Sequence, residues 1–289
     1  MFMKFLILTL TISFTISAKV SLIGGDIDFI NKYSGVINIA IFSKVSRSTN
    51  IGFCTATKIS DTKLITAAHC LYGKDIENIG WVNSPEFSLS RGDYFQGLYV
   101  ESVKIHPSYR KYRLRGGANR LIGNDIAVIT LEENEDKSWR EFQNLKSYSL
   151  NFEYVEDNTD LLVYGYGCQV SFGIKDDVRR RKFGDILTIS KESILNTDEV
   201  AINTEQLDLI FPSKFFSYGA DESKDYISLC SGDSGGPVFN TNNEIVGINA
   251  SGFFKKGITE DNPDRKFTHI NLFNRVSTVE SWILKNIAD

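Results

Sequence analysis

Residues 232–237 read Gly-Asp-Ser-Gly-Gly-Pro, a segment in which a single serine hydroxyl lies among glycines. Because glycines carry no side chain, backbone N–H groups and a substrate carbonyl can approach that hydroxyl closely. A serine hydroxyl is a weak nucleophile by itself, and a neighbouring base must activate it. Without such a base, the same segment is an ordinary glycine-rich hairpin, so the rest of the sequence decides between the two interpretations.

Two further segments contain a base and a residue that could orient it. Residues 66–70, Thr-Ala-Ala-His-Cys, place His69 at the end of an apolar strand, and a neutral imidazole with a pKa near ~6.5 suits proton transfer at neutral pH. Residues 124–128, Asn-Asp-Ile-Ala-Val, place Asp125 at the start of another apolar strand. Taken singly, His69 is a surface or core histidine and Asp125 a turn residue.

The rest of the chain is dominated by short apolar, β-branched runs separated by Gly, Asn, Asp and Ser clusters, a pattern that predicts β-strands. The runs are Val36–Phe42, Lys63–Ala68, Ile126–Leu131, Leu161–Tyr164 and Ile245–Ala250. The C-terminus differs, because Ser277 and Glu280 have capping-box spacing and precede apolar residues on one helical face. An all-β body with a C-terminal α-helix is therefore predicted, and residues 137–151 are the one polar seam between two halves.

The composition is that of a soluble globular protein: the 289 residues are 42% hydrophobic and 24% charged. Lys and Arg total 32 against 36 Asp and Glu, a net charge of -4 that gives no electrostatic basis for nucleic-acid binding. Residues 179–182, Arg-Arg-Arg-Lys, follow Asp176 and Asp177 in this acidic chain. The basic run therefore predicts an exposed loop rather than a polyanion site.

The N-terminus has the pattern of a secretory signal peptide. A basic start at Lys4 precedes the apolar run Phe5–Ile16, and Ala18 is a small residue suited to signal peptidase. Residues 1–18 are therefore predicted to be a signal peptide, and the protein to be secreted to an extracellular or periplasmic space. Cysteines pair in such oxidising compartments. The chain has four, which allow three pairings, and the count does not choose among them.

Taken together, the three motifs resemble the chymotrypsin and trypsin family of serine proteases in both composition and order. Leu-Ile-Gly-Gly at residues 22–25 is similar to the mature N-terminus of that family, and Gly-Tyr-Gly at residues 165–167 to the start of its second barrel. The resemblance covers nearly the whole chain after the predicted signal peptide.

The resemblance implies two six-stranded antiparallel β-barrels with the active site in the cleft between them. Residues 22–148 would form the first barrel, and residues 149–289 the second barrel and the C-terminal α-helix. Residues 19–21 would be a short propeptide, and Gln169–Ile227 an insertion relative to the family.

By the same resemblance, the protein is a secreted serine endopeptidase that cleaves protein or peptide substrates through an acyl-enzyme. Ser234 would attack the carbonyl, His69 would transfer the proton, and Asp125 would orient the imidazole. The N–H groups of Gly232 and Ser234 would form the oxyanion hole. No cofactor, metal or nucleic-acid partner is expected, nor a membrane association after signal removal, and the protein is expected to be a monomer.

The resemblance also implies the disulfide pairing. In the family, the cysteine after the catalytic histidine pairs with one about sixteen residues upstream, which corresponds to Cys54–Cys70. Cys230 occupies a family disulfide position, but its usual downstream partner is missing from this sequence. Cys168 lies where the family's chain passes close to that position, so Cys168–Cys230 is the second expected bond.

Two departures from the family pattern affect the expected specificity and activation. Ser228 occupies the pocket floor where trypsin-like members have Asp, and Gly252 and Asn271 are the expected walls. This neutral pocket favours aromatic or medium apolar substrate side chains, while His269 leaves glutamate specificity open.

Activation in the family inserts a new N-terminal amine beside the Asp that precedes the nucleophile, here Leu22 with Asp233. Because Ser21 rather than Arg or Lys precedes Leu22, an enzyme that is not trypsin-like would make the cut, unless no trimming is needed.

The alternative to an enzyme is a protease-like binding or regulatory module that lost catalysis. Such homologues usually lack at least one triad residue, whereas all three are present here. An esterase with the same triad is a second alternative, but residues 232–237 do not match the Gly-x-Ser-x-Gly elbow of α/β-hydrolases. The sequence therefore favours a protease.

Overall fold

The computed structural model describes residues 25–45, 48–87, 95–113, 121–167, 170–171, 174–175, 179–197, 202–219, 227–253 and 269–288. The predicted signal peptide and propeptide, Leu22 and Cys168 lie outside the described residues.

Strands make up most of the described chain. They are β1 (Asp26–Ile27), β2 (Val36–Val45), β3 (Ser48–Lys58), β4 (Lys63–Thr66), β5 (Asn78–Val82), β6 (Glu86–Phe87), β7 (Gln96–Ile105), β8 (Ala127–Leu131), β9 (Asp160–Gly165), β10 (Val170–Ser171), β11 (Ile174–Lys175), β12 (Arg179–Arg180), β13 (Lys182–Leu187), β14 (Lys214–Tyr218), β15 (Pro237–Phe239), β16 (Ile245–Phe253) and β17 (Ile270–Arg275). The helices are α1 (Ala68–Leu71), α2 (Pro107–Arg113), α3 (Lys137–Gln143), α4 (Lys191–Leu195), α5 (Thr204–Ile210) and α6 (Glu280–Ala288), with 3₁₀ turns at Phe211–Ser213 and Ser277–Val279. Helices α1 to α5 are too short to show a helical period in the sequence.

The first barrel is closed, with the antiparallel strand order β2-β3-β4-β8-β7-β5. Its interior is apolar because alternate residues of each strand point inward, as Ile37, Ile39 and Ile41 do on β2. Trp139 and Phe142 of α3 belong to the same core. The predicted polar seam at residues 137–151 therefore begins with a helix that packs on the first barrel.

The second sheet has the antiparallel order β1-β13-β9-β15-β16-β17-β14. An isolated antiparallel bridge between Thr188 and Ser217 connects the end of β13 with the end of β14. The six strands from β13 to β14 therefore approach a closed barrel. The seventh strand, β1, pairs along the other edge of β13 through Asp26 and Ile27. The predicted all-β fold is confirmed, with this additional edge strand in the second sheet.

The segment Gln169–Ile227, expected to be an insertion relative to the family, supplies part of the second sheet. It contains β13 and β14, which are both strands of the second sheet. The helices α4 and α5 lie between them and contribute Ile194 and Leu207 to a core that includes Phe216 of β14.

The basic run at residues 179–182 is also not an exposed loop, because Arg181 and Lys182 are buried. The guanidinium of Arg181 lies 3.2 Å from the carboxylate of Asp28, which is itself buried. The same carboxylate accepts the backbone N–H groups of Lys32 and Tyr33. Because the counter-charge comes from a segment distant in the chain, the local sequence could not reveal this burial.

The C-terminal helix α6 is confirmed and packs across both halves. Ile283 of α6 and Val279 of the preceding 3₁₀ turn share a core with Val36 and Ile126 of the first barrel and with Phe239 of the second sheet.

The ring of Trp282 lies edge-on to the ring of His106, with 5.0 Å between centroids. This contact gives His106 a packing role beside the C-terminal helix. No helix in the described part of the chain is long and apolar enough to cross a membrane.

Replacing Asp28 with Asn should destabilise the protein strongly, because it leaves the buried Arg181 cation without its counter-charge. We expect the free energy of unfolding to fall by about 3 kcal/mol or more, measured by urea denaturation at pH 7. Asp208→Asn is the matched control, since it breaks the exposed pair between Lys191 and Asp208 and should change stability by less than about 1 kcal/mol. Equal losses in the two variants would contradict the structural role of the buried pair.

Candidate active site

His69 and Asp125 are brought together by two adjacent strands of the first barrel. Strands β4 and β8 pair in a register that places Thr66 opposite Ala127. His69 follows β4 on α1, and Asp125 precedes β8, so both residues emerge at the same end of the barrel. The ring Nδ1 of His69 lies 2.6 Å from Oδ2 of Asp125, and the backbone N–H of His69 donates to Oδ1 at 2.8 Å.

The electrostatics of this pair favour a more basic imidazole. Burial by itself lowers the pKa of His69, but the charge and hydrogen bond of Asp125 outweigh burial and raise the pKa above its ordinary value. Burial alone would raise the pKa of Asp125, whereas the His69 contacts lower it overall. The His69 side chain is 35% exposed and that of Asp125 14%, so the imidazole reaches the cleft while the carboxylate lies behind it.

Ser234 comes from the second sheet, in the turn before β15, and it is fixed to the first barrel by Thr55. The backbone N–H of Thr55 donates to the carbonyl of Ser234 at 2.8 Å, and its hydroxyl donates to the carbonyl of Gly232 at 2.8 Å. Ser234, His69 and Asp125 all line a cleft of about 360 Å³. The structure therefore places the three predicted triad residues around one cavity.

Glycines are required where this turn approaches the first barrel. Gly232 and Gly235 have φ angles of 105° and 85°, a region that side chains disfavour. A Cβ on Gly235 would lie 2.0 Å from the hydroxyl of Thr66 and 2.3 Å from the carbonyl of Thr55. The glycine-rich motif thus permits the contact that holds Ser234 in place.

The Asp233 carboxylate is buried beneath the same turn. It accepts the backbone N–H groups of Gly167 at 2.6 Å and Cys230 at 2.9 Å. A Cβ on Gly165 or Gly167 would collide with this carboxylate, so the Gly-Tyr-Gly segment provides the space that the carboxylate occupies. Leu22, the predicted source of an amine partner, lies outside the described residues.

The Cys54–Cys70 disulfide is confirmed and lies directly beside His69. The two sulfurs and a ring nitrogen of His69 lie within 4.8 Å of one another. Because the sulfurs are bonded to each other, this cluster offers no thiolate ligand for a metal. Cys168 is outside the described residues, so the pairing Cys168–Cys230 stays a prediction.

The three predicted specificity residues occupy different positions. Gly252 lines the cleft, whereas Ser228 and Asn271 are fully buried and are not among the lining residues. The Asn271 amide accepts the N–H of Leu229 at 2.9 Å and donates to the carbonyl of Ile227 at 2.7 Å. Asn271 therefore anchors the segment that contains Leu229, which lines the cleft.

Sequence reasoning missed two polar residues that hold the Asp125 segment. The side-chain amide of Asn274 accepts the backbone N–H of Asp125 at 3.1 Å and donates to the backbone carbonyl of Asp125 at 2.9 Å. Lys214 donates from Nζ to the carbonyl of Gly123 at 2.9 Å. The available signal was the asparagine Asn274 beside the apolar residues Leu272 and Phe273 of β17, since buried amides require specific partners.

Comparisons with known proteins agree with this geometry. A family model described as Trypsin matches residues 38–283. Trypsin, alkaline C, from Manduca sexta is 25% identical over 92% of this chain and 90% of its own length.

Two solved structures resemble the whole fold. HL collagenase has a TM-score of 0.63 and 17% identity and covers 92% of this chain and 98% of its own. The scabies mite inactivated protease paralogue S-D1 has a TM-score of 0.61 and 19% identity over 92% of this chain and 97% of its own. At this level of identity the two structures show the fold and do not establish an activity.

Gly167→Ala should disturb the site, because the new Cβ would lie 2.2 Å from Oδ2 and 2.4 Å from Cγ of Asp233. We expect the free energy of unfolding to fall by about 2 kcal/mol or more, measured by chemical denaturation, as in other overpacked interiors. Gly97→Ala is the control, since a Cβ added there would meet no atom within 4 Å, and its stability should stay within about 0.5 kcal/mol. A Gly167 variant as stable as the control would rule out this close packing.

Proposed function

Because the chain belongs to the trypsin family of serine proteases, we propose that it is a secreted endopeptidase that hydrolyses protein substrates with Ser234, His69 and Asp125. The observation that carries this proposal is the hydrogen-bonded His69–Asp125 pair, which lines the same cleft as Ser234. The site contains a nucleophile, a base with a raised pKa and an orienting carboxylate, which are the three components that acyl transfer requires.

In the proposed reaction, Oγ of Ser234 attacks the peptide carbonyl carbon while His69 accepts the hydroxyl proton. His69 then returns that proton to the departing amine as the C–N bond breaks, and an ester to Ser234 remains. Water, deprotonated by His69, attacks this ester; His69 then returns the proton to Oγ of Ser234 as the ester C–O bond breaks, which releases the acid and restores the serine hydroxyl. The N–H groups of Gly232 and Ser234 stabilise the oxyanion in both halves, and one such donor is typically worth ~3 kcal/mol.

We propose a pocket that does not select basic side chains, with Gly252 on its wall and the buried Ser228 and Asn271 behind that wall. Two cations, Arg113 and Lys214, are among the described residues that line the cleft. The carboxylate among them, Asp125, is engaged by His69. This charge distribution disfavours a substrate Lys or Arg, and it supports cleavage after aromatic or medium apolar residues.

The competing candidate is a protease-like binding module, since one neighbouring structure is an inactivated protease paralogue. The presence of all three triad residues around one cleft favours an enzyme. Covalent labelling of Ser234 distinguishes these functions directly, because a binding module without an activated serine would not react.

Ser234→Ala should abolish cleavage, because no nucleophile would remain to form the acyl-enzyme. The measurement is digestion of a peptide library by the mature protein, together with labelling by a fluorophosphonate. We expect the wild-type protein to be labelled and to cleave after aromatic or medium apolar residues, and the variant to do neither.

Ser231→Ala, a change at another serine of the cleft, controls for general damage and should retain labelling. An undiminished rate in Ser234→Ala would reject the mechanism, and cleavage mainly after Arg or Lys would reject the proposed pocket.

We further propose that the chain is activated by removal of residues 1–18 as a signal peptide and 19–21 as a propeptide. The new Leu22 amine would then pair with Asp233. The burial of Asp233 next to Ser234 supports this step, because a buried carboxylate favours a cationic partner. N-terminal sequencing of active protein should find Leu22 first, whereas Lys19 as the first residue would show that trimming is not required.

A further inference from the structure

Lys214 is a buried cation in the cleft wall that takes no part in the proton transfers proposed above. The residue is 1% exposed. Its Nζ donates to the carbonyl of Gly123 at 2.9 Å and to the hydroxyl of Ser213 at 3.4 Å. Both partners are neutral, although burying an ammonium group is costly unless its charge is compensated. The Asp125 carboxylate lines the same cleft, and its charge opposes the effect of burial on the pKa of Lys214.

Lys214 and Asn274 form a cross-strand pair that reaches from the second sheet to the Asp125 segment. They are directly opposite each other in the register of β14 and β17. Asn274 holds the backbone N–H and carbonyl of Asp125, and Lys214 holds the carbonyl of Gly123, just before it in the chain. This pair therefore fixes the main chain that presents the Asp125 carboxylate to His69.

Within the described part of the chain, His69 makes a hydrogen bond to each oxygen of the Asp125 carboxylate. Before the reaction begins, His69 must be neutral to act as a base, so the Asp125 charge is not balanced within the pair. A largely buried carboxylate in that state is stabilised by a positive charge nearby. Lys214 lines the same cleft and is positioned to supply it.

We propose that Lys214 is a positioning residue for the His69–Asp125 pair, holding the Gly123 carbonyl and balancing the Asp125 charge while His69 is neutral. This role rests on the proposed protease function and adds a residue to it.

The direction of the effect on His69 follows from charge. Burial lowers the pKa of Lys214 to about 8, against the opposing effect of Asp125, so the ammonium remains mostly protonated at pH 7. A protonated Lys214 opposes a second positive charge on His69. Removing it should stabilise the imidazolium and raise the pKa of His69, which shifts the acid limb of kcat/KM to higher pH.

Other charged groups act on this site and are unchanged in the Lys214 variants. The charges of Lys74, which follows α1, and of Arg113 lower the pKa of His69. Arg275 of β17 donates to the Lys214 carbonyl, and Arg113 of α2 lines the cleft. His106, after β7, has its pKa lowered by burial and by the Lys214 charge. The imidazoles of His69 and His106 should therefore both respond when the Lys214 charge is removed.

The experiment is an NMR titration of the His69 imidazole in the mature protein, combined with the pH profile of kcat/KM. Lys214→Met should raise the pKa of His69 by about 0.5 or more and lower kcat about tenfold. KM should change little for a substrate cleaved after an apolar residue, since such a side chain makes no ionic contact with Lys214. Lys214→Gln keeps a donor for Gly123 without the charge, so it should show the same pKa rise with a smaller loss of kcat. Lys214→Arg should keep the wild-type pKa.

Lys63→Met is the matched control, because Lys63 is also buried and donates to the neutral hydroxyl of Thr130 at 3.0 Å. It should lose stability and leave the pKa of His69 unchanged. An unchanged His69 pKa in both Lys214→Gln and Lys214→Met, or in Lys214→Gln alone if Lys214→Met does not fold, overturns the proposal. A wild-type protein that neither cleaves peptides nor reacts with fluorophosphonate rejects the protease function, while the titration still decides the role of Lys214.

Discussion

Thr55, a buried threonine on β3, makes the hydrogen bonds on which the assembled site depends. Its backbone N–H binds the carbonyl of Ser234, and its hydroxyl donates to the carbonyl of Gly232 and accepts the N–H of Tyr166. Its own carbonyl accepts the hydroxyl of Thr66, in the segment that leads to His69. One residue of the first barrel thus connects the nucleophile turn of the second sheet with the strand end that carries the base, so the triad depends on how the two halves dock.

The second constraint is charge in the interior: two buried carboxylates and the largely buried Asp125 are each stabilised by a different kind of partner. Asp28 pairs with Arg181, and Asp233 accepts backbone N–H groups in space left by glycines. Asp125 binds His69. Since an uncompensated charge in a protein interior costs several kcal/mol, these partners constrain where the N-terminal segment, the nucleophile turn and the histidine can lie.

Several elements are predictable from local sequence, and the errors have a common cause. The run Lys63–Ala68 predicts a strand, and β4 ends at Thr66 because Ala68 begins α1. The C-terminal helix is predicted correctly because apolar residues recur at helical spacing within its nine residues, so the signal is local. In contrast, the basic run at residues 179–182 has the local pattern of a loop, and the strands within Gln169–Ile227 have no clear local signal. Their burial depends on partners remote in sequence, such as Asp28 for Arg181.

The sequence by itself determined the family and the identities of the candidate catalytic residues, because acyl transfer needs a hydroxyl, an imidazole and a carboxylate in particular glycine-rich and apolar contexts. It also determined the Cys54–Cys70 bond through the family resemblance. Only the tertiary structure decided that Thr55, Asn274 and Lys214 support the site. Hydrogen bonds and charge compensation act over a few ångströms in space, and strands distant in the chain supply these partners without any local pattern that marks them.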